Sequence, residues 1–246
     1  MITKRPLGDF LDRNPFERGW TDGLFYREKM RAIHRIAPAA LPPGAQILEI
    51  GGGRSGMACL LFPGALVVTV DIDPALAEAQ PDDPNARFIT GDACRLPFED
   101  HSFDIVTMFD VLEHVPDDQK AAAEAIRVTK PGGQILVSTP DADWRYPYYG
   151  FMAPICPHER VLMDEWGHVR RGYRQQDLEA LFKDKPSITA TFINRITAFY
   201  HDVAFSRLGR RARKLVYAVT WVPTMLAYAL HGRSTHGTEH AAAWRR

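Results

Sequence analysis

Cysteine is scarce in this chain: Cys59, Cys94 and Cys156 are the only three in 246 residues, and no CxxC pair occurs. A disulfide framework and a zinc-type spacing are therefore excluded, and a reducing cytoplasm is the expected home. An excess of one charge is also missing. Thirty basic residues balance thirty acidic ones, so no overall field favours a nucleic-acid backbone and no nucleic-acid partner is expected. Met1 to Pro6 leads into charged and turn-forming residues without an apolar core segment, so no secretory signal is expected. A membrane-spanning run is lacking too. The uncharged segment Leu215 to Leu230 has sixteen residues, interrupted by Pro223, against the roughly 20 that a straight bilayer span requires.

What the chain does have is a glycine-rich stretch, Gln46 to Gly56, where a short apolar run passes through Glu49 into Gly51, Gly52, Gly53 and Gly56. It reads as a buried strand entering a tight turn, in which missing side chains let a polar ligand approach the backbone amides. Gly51-x-Gly53-x-x-Gly56 satisfies the dinucleotide pattern, but a strand-acid-glycine loop also serves nucleoside cofactors, so the spacing alone does not name the ligand. Gly56 to Phe62 reads as a short helix, and Leu66 to Val70 as a strand ending at Asp71. An acid at that tip suits both hydroxyls of a ribose. Arg87 to Thr90 gives a third strand, followed by Asp92, whose carboxylate suits an exocyclic amino group. Phe103 to Phe109 is the fourth.

Upstream, residues 1 to 22 show no helical or strand period and read as an irregular arm. Leu24 to Ile36 reads as a helix that either packs on the sheet or covers the cofactor cleft. Residues 74 to 85, with Pro74, Pro81 and Pro84, read as a short helix and a loop.

Beyond the fourth strand, Phe103-Asp104-Ile105-Val106, Phe109-Asp110-Val111-Leu112-Glu113-His114-Val115 and Arg127-Val128-x-Lys130-Pro131-Gly132-Gly133-x-Ile135-Leu136-Val137-Ser138-Thr139-Pro140 resemble the class I S-adenosylmethionine-dependent methyltransferases, in their small-molecule branch. The resemblance covers roughly residues 45 to 140. It implies an α/β fold: a Rossmann-like, doubly wound, seven-stranded, mainly parallel sheet, here with a C-terminal helical extension. It also implies that Glu49, Gly51 and Gly53 hold the methionine end of S-adenosylmethionine, Asp71 the ribose, Asp92 and Ala93 the adenine, and that Phe109 lines the cleft near the sulfonium. The family's third glycine falls on Ser55, with Gly56 one residue later, which leaves the path of the loop to be determined.

The aromatic and proline-rich residues 141 to 160 are expected to wall an acceptor pocket. His158, Glu159, Glu165 and His168 lack the HExxH pattern, so no metal is expected. His168, in a segment that resembles one of surface-glycan methyltransferases, and His114, beside the cleft, are the candidate bases. Gln175 to Phe182 reads as a helix, and Ile188 to Ile193 with Ile196 to Tyr200 as the closing strands. Arg207, Arg210, Arg211, Arg213 and Lys214 precede the apolar segment 215 to 230, which suits either an interfacial helix on an anionic leaflet or a packed one. The tail from Gly232 to Arg246 reads as mobile.

The expected divisions are an arm and helix over 1–44, a methyltransferase domain over 45–202, and a basic, apolar extension with its tail over 203–246. The expected function is methyl transfer to a small-molecule, saccharide or lipid-linked acceptor, chiefly at oxygen, in the cytoplasm or at the inner face of the membrane. A nicotinamide-dependent oxidoreductase and a noncatalytic cofactor-binding scaffold are the competing readings.

Overall fold

The structure is a computed structural model, and it describes residues 1–16, 19–79, 83–232 and 236–246. Its strands are β1 (Ile2–Thr3), β2 (Ala40–Leu41), β3 (Gln46–Ile50), β4 (Leu66–Asp71), β5 (Ala86–Thr90), β6 (Phe103–Phe109), β7 (Thr129–Pro140), β8 (Ile188–Phe192) and β9 (Glu239–Arg245). The helices are α1 (Leu7–Asp12), α2 (Leu24–Ile36), α3 (Met57–Leu61), α4 (Asp118–Val128), α5 (Glu159–Trp166), α6 (Gln175–Phe182), α7 (Ala198–Ala204) and α8 (Arg210–Leu230).

Seven strands form one sheet in the order β5-β4-β3-β6-β7-β9-β8. All neighbours from β5 to β7 are parallel, while β9 runs antiparallel to both β7 and β8. This is the expected seven-stranded, mainly parallel, doubly wound sheet. β3 sits between β4 and β6 and is buried on both faces through Ile47, Leu48 and Ile50, as a parallel sheet covered by helices requires. The order reverses beside β3, where such sheets open a crevice at the carboxyl ends of their strands.

Helices cover both faces. On one, α2 lays Met30, Ile33 and Ile36 against the sheet next to β8 and β9. On the other, α4 brings Ala121, Ala122 and Ala125, small enough for close approach, and packs on α6 through Leu178. Asp117 starts α4 by accepting from the Lys120 N–H at 3.2 Å, an N-cap device. A third apolar cluster joins Leu24, Trp144, Tyr146, Tyr200, Val203, Tyr217 and Tyr228 beneath α7 and α8.

Three expectations need correction. The N-terminal arm is not wholly irregular, because β1 pairs with β2 and α1 buries Phe10 and Leu11. Residues 196 to 200 are not a strand: Asn194 Oδ1 accepts from the N–H groups of Ile196 and Thr197 and turns the chain into α7. The closing strand comes instead from the tail. Gly232 to Arg246 was expected to lie outside the sheet, yet β9 stands between β7 and β8, and the Trp244 indole donates to Asp184 O at 2.9 Å. The sequence Glu-His-Ala-Ala-Ala-Trp-Arg has little β-branching. Burial of Ala241, Ala242 and Ala243 between covered faces overrides that propensity. The last strand of the sheet thus lies C-terminal to the helical extension. Of the stretch 74 to 85, Pro74–Ala79 forms a single 3₁₀ segment; Pro81 lies outside the described residues.

Candidate active site

The carboxyl ends of β3, β4, β5 and β6 open on a cleft of about 610 Å³ whose walls include Gly51, Asp71, Asp92, Ala93 and His114. Gly51, at φ +64°, could not carry a Cβ, which would stand 2.6 Å from Val111 Cγ2. At Gly52 a Cβ would lie 2.6 Å from Thr69 Cγ2 and 2.9 Å from the Glu49 side chain. The backbone here is packed between Val111 and the Thr69 and Glu49 side chains. Ser55 then closes the loop by donating both its N–H and its hydroxyl to Gly52 O, at 3.0 and 2.8 Å. Gly56, in the left-handed region, begins α3. The displaced glycine therefore serves as the helix entry, and the serine as the latch before it.

Asp71 is pinned at the tip of β4, accepting from Gly53 N–H at 3.1 Å and Asp73 N–H at 3.2 Å. Asp92 accepts from Cys94 N–H at 2.8 Å. Glu49 is buried; its oxygens accept from Ala58 N–H at 3.0 Å and the Thr69 hydroxyl at 3.4 Å, and burial pushes its pKa up to about 7. It braces the loop against α3. Glu49, Gly53 and Phe109 lie beside the cleft rather than in its wall. The wall sets apolar Ile50, Val70, Ile72 and Val111 among four carboxylates, those of Asp71, Asp92, Asp110 and Asp117, and two side-chain-free glycines, Gly51 and Gly91. That set fits a nucleoside: acceptors for ribose hydroxyls and an exocyclic amine, and a flat apolar slot between them.

A second pocket of about 280 Å³ adjoins the first, with Asp110 and His114 in the walls of both. Its apolar side is Phe16, Phe25, Tyr26, Trp144, Trp166 and Phe205, and its polar side Lys29, Asp110, Glu113, His114, His168 and Glu239. Asp110 adopts a left-handed backbone at φ +52°, accepts from the Ser138 hydroxyl at 2.6 Å and forms an ion pair with Lys29. Burial works against the Lys29 ammonium, but Asp110 outweighs it, so its pKa is raised. Glu113 is fully buried, with one oxygen accepting from the Thr139 hydroxyl and the other without a partner. Burial and then Asp110 push its pKa well above the carboxylate range. Burial, followed by Asp110, raises Glu239 to about 8.

The two candidate histidines meet edge to face, with ring centroids 4.6 Å apart. His114 Nδ1 lies 3.2 Å from Gly167 O, whereas His168 Nδ1 is buried without a partner. Burial, and next His114, lowers the His168 pKa to about 4, so the ring is neutral and burial disfavours its protonated form. The expectation of no metal rested on the spacing of His158, Glu159, Glu165 and His168. His158 caps α5, and Glu159 pairs with Arg171 at 2.7 Å, while the fold brings donor atoms of Glu113, His114 and His168 within 4.8 Å of one another.

Other expectations are redistributed. α2 packs on the sheet and supplies Phe25, Tyr26 and Lys29 to the second pocket, not to the first. Of the aromatic loop, Trp144 joins the second pocket, whereas the Tyr148 and Tyr149 N–H groups donate to the Asp202 carboxylate at 2.9 Å each. Tyr146 lines a separate cleft with Cys156 and Arg207. Sequence reasoning missed Lys29, Asp110, Glu113 and Glu239 as site residues. Asp110 and Glu113 stood inside the Phe109 to Val115 segment, where a signal existed. Lys29 and Glu239 carried none, because each reaches the pocket from an element remote in the chain.

Residues 48–137 match the family described as a methyltransferase domain. The 2-methyl-6-phytyl-1,4-hydroquinone methyltransferase of Synechocystis sp. is 33% identical over 160 residues, covering 58% of this chain and 48% of that protein. The demethylmenaquinone methyltransferase of Renibacterium salmoninarum is 37% identical over 111 residues, covering 44% and 45%. The chain thus matches about half the length of these curated relatives. A solved geranyl diphosphate methyltransferase, with geranyl diphosphate and sinefungin, superposes with TM-score 0.60 at 17% identity, covering 90% of this chain and 78% of that one. Residues 48–137 therefore carry a methyltransferase domain, set in the seven-stranded, Rossmann-like sheet of the class I methyltransferases, whose cofactor is S-adenosylmethionine.

Proposed function

We propose that this protein transfers a methyl group to an oxygen of a small lipophilic acceptor held in the aromatic pocket. The observation that carries the reading is the junction of the two pockets at Asp110 and His114. S-adenosylmethionine, when bound, supplies an electrophilic methyl. Asp71 would hold its ribose, Asp92 and Ala93 its adenine, and the turn of Gly51 and Gly53, braced by Glu49, its methionine end, with Phe109 alongside. The six aromatic side chains would seat the acceptor and exclude water. His168, neutral and unpartnered at Nδ1, would take the acceptor's proton, with His114 orienting it. The hydroquinone and demethylmenaquinone in the relatives' names favour an acceptor of that lipophilic kind.

The same reading includes contact with an anionic bilayer through the segment 203–230. Among the described residues no helix is long and apolar enough to cross a membrane, but α8 buries Tyr217, Thr224 and Tyr228 and exposes a continuous opposite stripe. Leu215, Val219, Val222, Leu226 and Leu230 are 67, 75, 73, 57 and 71% exposed. Exposed Arg210, Arg211 and Lys214 stand at its start, the charge that an anionic leaflet complements. Flotation with phosphatidylglycerol vesicles should retain the protein, and Val219→Glu with Val222→Glu should release it.

The central test is calorimetry. S-adenosylhomocysteine should bind and NADH should not; binding of NADH alone would replace the methyltransferase reading with an oxidoreductase one. Asp71→Ala should weaken S-adenosylhomocysteine by roughly tenfold or more, from loss of charge-assisted hydrogen bonds of roughly 1.5–3 kcal/mol. Turnover of labelled cofactor with a panel of isoprenoid quinols then separates an enzyme from a binding scaffold.

A further inference from the structure

A third cleft, of about 560 Å³, shares Phe25, Tyr26 and Phe205 with the acceptor pocket. Those three side chains form a common wall, so the aromatic pocket continues outward into a region of different chemistry. There the lining includes Arg210, Arg213 and Lys214 against one acid, Asp22. That acid is already taken. Asp22 Oδ1 accepts from Arg213 Nη1 at 3.3 Å and from the Tyr217 hydroxyl. Arg213 Nη1 also donates to Ala204 O at 2.8 Å, and its Nε is buried without a partner. Arg210 and Lys214 make no ion pair among the described residues.

This concentration of positive charge is unfavourable by itself. Arg210, Arg211, Arg213 and Lys214 crowd the first turns of α8, where the helix dipole is also positive and no acid is present. A bound anion removes that repulsion. Phosphate suits the place better than a carboxylate does, since its several oxygens can accept from two guanidinium groups and an ammonium together.

The geometry points to a phosphate subsite at the outer end of the acceptor pocket: Arg210, Arg213 and Lys214 hold a phosphate-class group on an amphiphilic acceptor whose apolar part lies along Phe25, Tyr26 and Phe205. This rests on the acceptor-pocket reading above, keeping its lipophilic acceptor but giving it a phosphate-class group that a free quinol lacks. The subsite opens at the start of α8, beside its exposed apolar stripe, so the acceptor enters next to the membrane-facing surface.

The test uses full-length protein saturated with S-adenosylhomocysteine and titrated with octyl phosphate, octanol and inorganic phosphate. Octyl phosphate should bind at least about tenfold more tightly than either fragment. Arg210→Gln with Lys214→Gln, both exposed, should weaken octyl phosphate by about tenfold and leave S-adenosylhomocysteine affinity unchanged. Equal affinity for inorganic and octyl phosphate would overturn the link to the apolar pocket. Loss of phosphatidylglycerol vesicle binding in the double variant, with octyl phosphate binding intact, would also overturn the proposal, because the cations would then serve lipid headgroups alone. Failure of S-adenosylhomocysteine to bind would instead strike the methyltransferase reading, whatever octyl phosphate does.

Discussion

The cleft proposed for the cofactor and the pocket proposed for the acceptor share two residues, but they are assembled in different ways. The cleft is built from the turns that follow successive parallel strands, within residues 50 to 120. The pocket gathers Phe16 and Lys29 from one end of the chain, Trp144 and His168 from the middle, and Phe205 and Glu239 from the other end. A local assembly preserves its spacing in the sequence. An assembly across the fold does not, and it gathers several buried ionisable groups, with Lys29, Glu113 and Glu239 lining the pocket beside Asp110, where the cleft has Glu49 behind its glycine turn.

If the two regions are separable, changes in one should leave the other intact. The largest expected effect follows Gly51→Ala. A left-handed alanine costs roughly 1–2 kcal/mol, and the Cβ forced onto Val111 adds overpacking of roughly 1–3 kcal/mol. S-adenosylhomocysteine affinity should therefore fall by roughly a hundredfold, measured by calorimetry. Trp166→Leu, on the acceptor side, should alter that affinity by less than about twofold. A tenfold loss in the second variant would mean the pockets are one site and would end the comparison.

This division also explains what could be read in advance. The strand-glycine turn, Asp71 and Asp92 are short-range patterns, and each occupies its expected element. Of the outer strand pair, Ile188–Phe192 stands where it was expected, but its partner was misassigned because β9 follows a 21-residue helix and contains three consecutive alanines, giving no alternation or β-branching to read. Lys29 is 81 residues from Asp110. Within α2 it stands among Glu28 and Arg31, and all three are buried, so helical periodicity would place them outward. Their positions became intelligible only when β7, β9 and α2 were seen together.

A second effect concerns pH and belongs to the acceptor side. Burial raises Glu28 and Glu239 to about 8, from an unfolded value near 4.5. Each folded carboxyl keeps a proton that the unfolded chain releases, so stability declines as pH rises from about 4.5 to about 8. His168, His201 and His231 are lowered by burial to about 4. They act oppositely, adding stability as pH rises from about 4 to 6.5, and are then silent. Between pH 6.5 and 8 the carboxyls dominate. Urea unfolding should show lower stability at pH 8 than at 6.5, and Glu239→Gln should reduce that slope by up to about 1.4 kcal/mol per pH unit. An unchanged slope would mean Glu239 is ionised in the folded protein and would remove the contrast in buried charge.

The smallest effect tests the cofactor side where it departs from its family's pattern. Ser55→Gly restores a third glycine at the usual place, and if the loop were strained by its serine the change should tighten cofactor binding. The structure argues otherwise. Ser55 is absent from the positive-φ positions, and its hydroxyl latches Gly52 O at 2.8 Å, so glycine there gains no conformation the loop needs and loses a hydrogen bond. With the added freedom of the unfolded chain, destabilisation of about 1–2 kcal/mol is expected, with S-adenosylhomocysteine affinity changed less than threefold. Thermal unfolding and calorimetry on one preparation separate the two quantities. A gain in affinity would show that the loop relaxes on binding and that its path here is not the path that holds the cofactor.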